Sequence, residues 1–431
     1  MRVVPAALAA SMAAALAFAA AGPAVATAAT ATHAAPRVIS DVTLPAPALA
    51  DFEPHLVKDD HGVKLGGVGS GLYPAGRSGE YWMVTDRGPN GQPEIDGEKR
   101  RTFPTPGFAP AIVRVSVQHG KAKIAQTITL KTSAGKPITG MSNQKGHDEK
   151  PYGWDGRTTL SYDPNGLDTE DIIRTAKGEF WLVDEYSPSL VRVAANGRIL
   201  ARYVPKGLHL AHTGYPVHET LPGIFLKRQQ NRGFEGLGIS GDRLYVALQS
   251  PLENPDKDIS KTSKVTRILA VDLRTGKPVG EYAYVFEDVT KFDPKVEGDQ
   301  SAMKISSVVG LGGGKLLVEE RTDNVARLYT ADLKGATNLL WGKYDLVGTK
   351  PSLETALPSK VKPLAKKLTV DLAAVSKVPG KLEGVAVLDR TTIAVANDND
   401  FGLGEFDENG KLIDTGVPSR LLVIKLPRAL G

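Results

Sequence analysis

The sequence predicts an all-β protein: a β-propeller of five recognisable four-stranded blades joined by long inter-blade loops. Three observations carry this expectation. Gly 45 and Pro 29 in 431 residues punctuate the chain as densely as a turn-rich β protein requires. Short apolar runs close on turn residues, as in Glu179–Asp184, Arg243–Leu248, Lys315–Glu319 and Thr392–Ala396. One pattern also repeats, and internal repeats of this kind mark a propeller. Segments 170–184, 235–249 and 383–397 each run from a glutamate through an apolar strand, a turn and a second apolar strand to Asp184, Gln249 or Asn397. Segment 306–320 keeps the same 14-residue step with Ser306 in the first slot, and segment 70–86 has a turn two residues longer.

Each hairpin is followed by further strands. After 70–86 come 111–117 and 123–130. After 170–184 come 190–193 and 199–204. After 235–249 come 267–273 and 279–286, and after 306–320 come 326–333 and 337–341. Four antiparallel strands make a blade. In the last repeat 421–426 supplies a third strand, and 38–44 can close the ring as its outer strand. Three long inserts interrupt the blades, at 131–165, 205–232 and 342–380; the first has a composition that admits partial disorder, and the last leaves room for a degenerate sixth blade.

The length admits two to three domains of about 150 residues, or one large all-β domain. Charged residues at 23% place the chain among ordinary globular proteins rather than disordered ones. The absence of cysteine excludes a disulfide framework, a thiolate nucleophile and cysteine-ligated zinc or iron–sulfur. Arg2, an apolar run over 6–21 and the small residues Ala24-Val25-Ala26 read as an export signal over 1–26. The expected division is then 27–62, an N-terminal segment holding the closing strand, and 63–431, the propeller. The expected location is extracellular. A net charge of +5 spread along the chain argues against a nucleic-acid partner. No membrane partner is expected either, and the protein is expected to be a monomer.

The 14-residue step has a geometric consequence. In a regular hairpin it sets Glu170 opposite Asp184, Glu235 opposite Gln249 and Glu383 opposite Asn397, with Cβ atoms about 4.5–5.5 Å apart. Ser306/Glu320 and Ser70/Asp86 complete a rim at one end of the ring. Carboxylates that converge in a low-dielectric mouth take up protons or bind cations. Hard oxygen donors with amides among them suit Ca²⁺, with another divalent cation as the alternative. The expected metal ligands are Asp86, Glu170, Asp184, Glu320 and Asn397, and the expected catalytic groups are Glu170, Asp184, Glu235 and Glu383. Arg87, Arg232 and Arg321 stand beside the rim, where planar guanidinium forks suit phosphate oxygens; His218 joins them as a substrate-binding candidate. Acidic residues at hairpin ends also serve simply to pin backbone donors, and three glutamates at one spacing are what favour the functional reading. His209, His212 and His218 are a weaker zinc set. Asn397-Asp398-Asn399-Asp400 is a weaker local calcium loop. Gly67–Gly71 opens a strand and makes a poor serine elbow.

Tyr81–Asn90, Asp168–Arg174, Gly178–Pro188, Asn231–Leu237 and Leu382–Val385 resemble the phytase-like domain family, also called the esterase-like activity of phytase family. The resemblance runs over about 63–426. It implies a secreted propeller hydrolase distantly similar to calcium-dependent propeller phytases, with the acidic rim as metal and phosphate ligands. The expected function is metal-assisted hydrolysis of a small phosphoric ester. The alternatives are carboxylic-ester or lactone hydrolysis on the same rim, or ligand binding without catalysis.

Overall fold

The computed structural model of the chain describes residues 1, 35–58, 61–404, 406–407 and 410–431. Apart from Met1, the export segment expected over 1–26 lies outside the described residues.

Strand periodicity places alternate side chains on opposite faces of a sheet, and here both faces are buried. Blade I is formed by Gly71–Pro74, Glu80–Val84, Ala111–Gln118 and Lys121–Thr129. Blade II is formed by Thr169–Arg174, Phe180–Asp184, Ser189–Val193 and Ile199–Pro205, with Val217–Leu221 added in parallel at its edge. Blade III takes Phe234–Ser240, Arg243–Leu248, Val265–Asp272 and Pro278–Val285. Blade IV takes Lys304–Gly312, Lys315–Arg321, Ala326–Asp332 and Ala365–Asp371. Blade V takes Leu382–Asp389, Thr392–Asn397, Arg420–Lys425 and, from the other end of the chain, Arg37–Thr43. The innermost strands neighbour one another around the ring, from I to V and back to I.

Five apolar clusters fill the five junctions. Trp82 and Val84 of blade I turn toward blade II, against Ile172, Phe180 and Leu182. Tyr81 and Met83 turn the other way, against Ala386, Ala394 and Leu421 of blade V. Equivalent clusters join II to III, III to IV and IV to V. Burial on both faces is why runs such as Phe180–Val183 are continuously apolar instead of alternating.

Two features differ from the sequence expectation. The outer strand of blade IV is Ala365–Asp371, not 337–341, and no sixth blade forms among the described residues. The chain instead leaves blade IV after Asp332 and runs along the exposed edge of blade III. There Leu339 N donates to Glu281 O (2.8 Å) and Leu364 N to Ala283 O (2.9 Å). A sheet edge left open invites aggregation, and this excursion covers it. The fully buried Arg267 clamps it, bonding to Glu281 at 2.6 Å and Glu354 at 2.7 Å.

The innermost strands carry the second difference. Glu170–Asp171, Glu235, Ser306–Ser307 and Glu383 all sit where the ladder register shifts. Each shift is a β-bulge, which adds a residue to one strand and re-aims its side chain. Gly236 and Gly384 follow two of these positions because a Cβ there would meet Ser307 at 3.0 Å or Leu72 at 2.8 Å.

The ring is held shut by Arg37–Thr43 on Arg420–Lys425. Val42, 4% exposed, carries that strand's core contact. Val42→Asp is expected to lower unfolding free energy by about 3 kcal/mol in a urea titration, because it buries a carboxylate among apolar groups. An unchanged midpoint would show that the closing strand contributes little.

Candidate functional site

Three of the bulges bring a glutamate, Glu170, Glu235 or Glu383, to one mouth of the central channel. A polar cavity of about 170 Å³ opens there, and all five blades contribute to its wall. Blade I supplies Asp86 and Arg87. Blade II supplies Glu170 and Glu185. Blade III supplies Glu235 and Gln249, with Asn231 and Arg232 just before it. Blade IV supplies Lys304 and Arg321. Blade V supplies Lys381, Glu383, Asp398 and Asp400.

Glu170 is the centre of the arrangement. It belongs to two triads, Asp168/Glu170/Glu185 and Glu170/Glu235/Glu383, each with carboxylate oxygens within 4.8 Å of one another. It is 7% exposed. Among the described residues its carboxylate accepts no hydrogen bond, and burial followed by the charges of Glu235, Asp168, Glu185 and Glu383 pushes its pKa well above the ordinary range. Its neighbours are anchored. Gln249 Nε2 donates to Glu235 Oε2 (2.6 Å) and Glu185 Oε1 (2.7 Å). Arg87 pairs with Asp168 at 2.5 Å and Glu185 at 3.1 Å. Arg321 pairs with Glu383, lies 3.7 Å from Glu235, and donates through Nε to Ser306 Oγ (2.6 Å). Burial raises Glu185 and Glu235 as well, and carries Glu383 from 4.5 to about 7 even beside Arg321. On the blade I and blade V side burial lifts Asp86 and takes Asp398 from 3.8 to about 7.

The backbone is also unusual here. Asn231, Lys381 and Asp400 line the cavity at φ 56°, 47° and 48°, a left-handed conformation that costs a non-glycine residue of order 1 kcal/mol. Lys381 holds Asp398 at 3.2 Å and Asp400 at 2.5 Å. Such outliers persist only where surrounding contacts hold them, and they concentrate at functional sites.

Seven of the expected residues meet in this cavity: Asp86, Arg87, Glu170, Arg232, Glu235, Arg321 and Glu383. Four do not. The bulge sets Asp184 opposite Thr169 rather than Glu170; its carboxylate turns into blade II, where Arg202 holds it at 2.6 Å. Glu320 faces Ile305 and lies toward blade III, bonded to Tyr284 (2.7 Å) and Lys366. Asn397 faces Leu382 and pins the third strand of blade V, accepting from Arg420 N (2.7 Å). His218 lies on the parallel edge strand of blade II, exposed and 5.3 Å from the Tyr203 ring. His209 bonds Glu219 at 2.8 Å, and no histidine joins a metal-competent group among the described residues.

Sequence reasoning passed over Asp168 and Glu185. The available signal was adjacency: each stands beside an expected residue, in Asp168-Thr169-Glu170 and Asp184-Glu185. Asp398 and Asp400 were visible as an oxygen-rich run, but the structure sets them on the wall of this cavity and not in a separate loop site.

The family model described as Phytase-like: Esterase-like activity of phytase matches residues 63–401. An "Uncharacterized secreted protein" of Arthroderma benhamiae is 27% identical over 317 residues, covering 62% of this chain and 61% of that protein. The match thus spans about three fifths of that relative's length. Among solved structures, the calcium-binding protein regucalcin of Agrobacterium tumefaciens is 12% identical, over 84% of this chain and 92% of that one, with a TM-score of 0.33. The Cps50 (Swd1) β-propeller domain of Myceliophteria thermophila is 14% identical, over 84% and 97%, with a TM-score of 0.31.

The raised carboxylates fix a pH dependence. Glu383 holds its proton up to about pH 7 in the folded state but releases it near 4.5 when unfolded. Between those values the folded protein binds more protons, so its stability falls as pH rises. Calorimetry in chelator is expected to show a lower Tm at pH 8 than at pH 5.5. Glu170→Gln should flatten that difference, and a wild-type slope that the variant retains in full would count against the cluster as its source. Asp184→Asn is expected to lose about 3–5 kcal/mol in urea by stranding buried Arg202, while leaving cation binding at the cavity intact.

Proposed function

The chain belongs to the phytase-like family, and from that premise we propose that it is a secreted, cation-assisted hydrolase of small phosphoric esters. The observation that carries the reading is Glu170: buried, without a hydrogen bond, and surrounded by four other carboxylates. An isolated cluster of this kind is costly unless protons or a cation neutralise it. The donors are all hard oxygens, with Gln249 and Asn231 amides at the margin, a set that suits calcium. Asp168, Glu170, Glu185, Glu235 and Glu383 would hold it. When bound, a divalent cation supplies charge neutralisation and polarises a phosphoryl oxygen.

The remaining work falls to side chains of the wall. Arg87 and Arg321 are committed to carboxylates, so their role is to hold those groups in place. Arg232 differs. It donates to Ser250 Oγ (3.0 Å) and Ser301 O (2.6 Å), and among the described residues it forms no ion pair with a carboxylate. Its guanidinium is the one with charge to offer an incoming phosphoryl group. Lys304 and Lys381 add positive potential beside it. Asp398, raised to about 7, would take a proton from water at neutral pH. The polar wall of the cavity can take up a phosphoryl group. Secretion is supported by the export-type N-terminal sequence and by the secreted relative.

The family's description names an esterase-like activity, so a carboxylic ester is the second substrate class to assay. Phosphate release from an aryl phosphate and from phytate, with Ca²⁺ and after chelation, tests the proposal. Chelation and Glu170→Ala are each expected to lower kcat/KM by about 100-fold. Arg232→Ala is expected to raise KM about tenfold with a smaller change in kcat. Turnover of an aryl acetate alone would replace the phosphoric ester by a carboxylic one. Absence of turnover on both, with calcium still raising Tm, would make the cavity a binding site.

A further inference from the structure

The excursion between the third and fourth strands of blade IV contains a turn, 341–350, whose chemistry the cavity does not use. Trp341, Leu346 and Val347 are 53%, 63% and 56% exposed. Large apolar residues exposed singly are ordinary; three on one turn are not. Trp341 is also the one tryptophan or phenylalanine among the exposed large apolar residues described.

The turn is held rigidly in this pose. Trp341 sits at φ 57°, in the left-handed region that a bulky side chain avoids. Its N–H donates to Asp345 Oδ2 at 2.5 Å. Thr349 Oγ1 donates to Lys343 O at 2.5 Å. Beneath the turn, the buried Arg267 donates to Tyr344 O (3.1 Å) and lies 3.6 Å from Asp345. The apolar tip is therefore displayed on a braced support, where a collapsed turn would hide it.

Its charge is one-sided. Asp345 is the only acidic residue between 333 and 353, and it is buried. Lys343, Lys350 and Lys206 are exposed, and Lys206 Nζ stands 4.1 Å from the indole centre. We propose that the turn 341–350 docks the protein on an anionic lipid surface, with Trp341, Leu346 and Val347 entering the headgroup boundary and the three lysines meeting lipid phosphates. Tryptophan settles at that boundary because its ring is apolar and its N–H is polar. Lysines beside it add attraction that salt screens. A sugar ring stacked on the indole fits less well, since Lys206 already lies over the ring. Docking on lipid departs from the expectation of no membrane partner. No helix among the described residues is long and apolar enough to do so, and docking at the headgroups requires none.

The test is co-sedimentation of the purified protein with vesicles of phosphatidylglycerol and phosphatidylcholine in equal parts, against phosphatidylcholine alone. Binding to the anionic vesicles is expected at low salt, with release at high salt. Trp341→Ala and the pair Lys343→Glu/Lys350→Glu should each lower the bound fraction about fivefold at unchanged Tm. No binding to anionic vesicles, equal binding to neutral ones, or full binding by both variants would overturn the proposal. So would Trp341-dependent capture of a soluble acidic polysaccharide by a protein that ignores vesicles.

Discussion

One extra residue in an innermost strand decides where this protein's carboxylates point. A regular ladder would set Glu170, Glu235 and Glu383 against partners in the second strand, on the faces that pack between blades. The bulges break that alternation at the last rung before the channel mouth. Side chains that would have been packing residues are turned toward the ring axis. The ladder below the bulge keeps its register, so the apolar junctions survive: Ile172 still opposes Leu182, and Leu237 still opposes Val246. A bulge at the strand end changes function without disturbing the core.

That placement has an electrostatic cost, which the same ring offsets. Carboxylates brought this close in a buried wall repel, and burial lifts their proton affinity. Arg87 ties blade I to blade II through Asp168 and Glu185, and Arg321 ties blade IV to blades V and III through Glu383 and Glu235. These ion pairs serve as ties between blades as much as charge balance. Among the described residues they leave Glu170 without an ion pair or a hydrogen bond. The ring thus compensates part of its negative charge internally and leaves Glu170 at the mouth, with the buried Glu319 of blade IV, for a cation or protons to neutralise.

The five-bladed ring was legible because its signal is local and repeated: turn residues at regular intervals and apolar strands between them. The position of the mouth was legible for the same reason, since Glu235-Gly236 and Glu383-Gly384 recur at matching places. The partners were not legible. Equal spacing implies a mirror-regular hairpin, and Asp184, Glu320 and Asn397 were assigned on that basis. A bulge leaves no mark in the spacing, because Glu170 and Asp184 remain 14 residues apart whether the ladder slips or not. The outer strand of blade IV was missed for a different reason. Strand 365–371 is mostly exposed and lysine-bearing, so it lacks the apolar run that marks the others, and a covering excursion separates it from its neighbour.

That excursion shows how one buried charge can organise a surface. Arg267 sits on the third strand of blade III, and its three partners come from two elements: Glu281 from the adjacent strand, Glu354 and Asp345 from the excursion. A buried guanidinium with too few acceptors would destabilise the blade, so the blade depends on the excursion returning each time to the same pose. The dependence also runs outward. Asp345, held near Arg267, accepts the Trp341 N–H and keeps that residue in a backbone conformation it would otherwise leave. The covered edge of blade III and the displayed indole are therefore consequences of the same ion cluster. Loss of Arg267 would disturb both, whereas loss of the indole alone would leave the cluster and the blade intact.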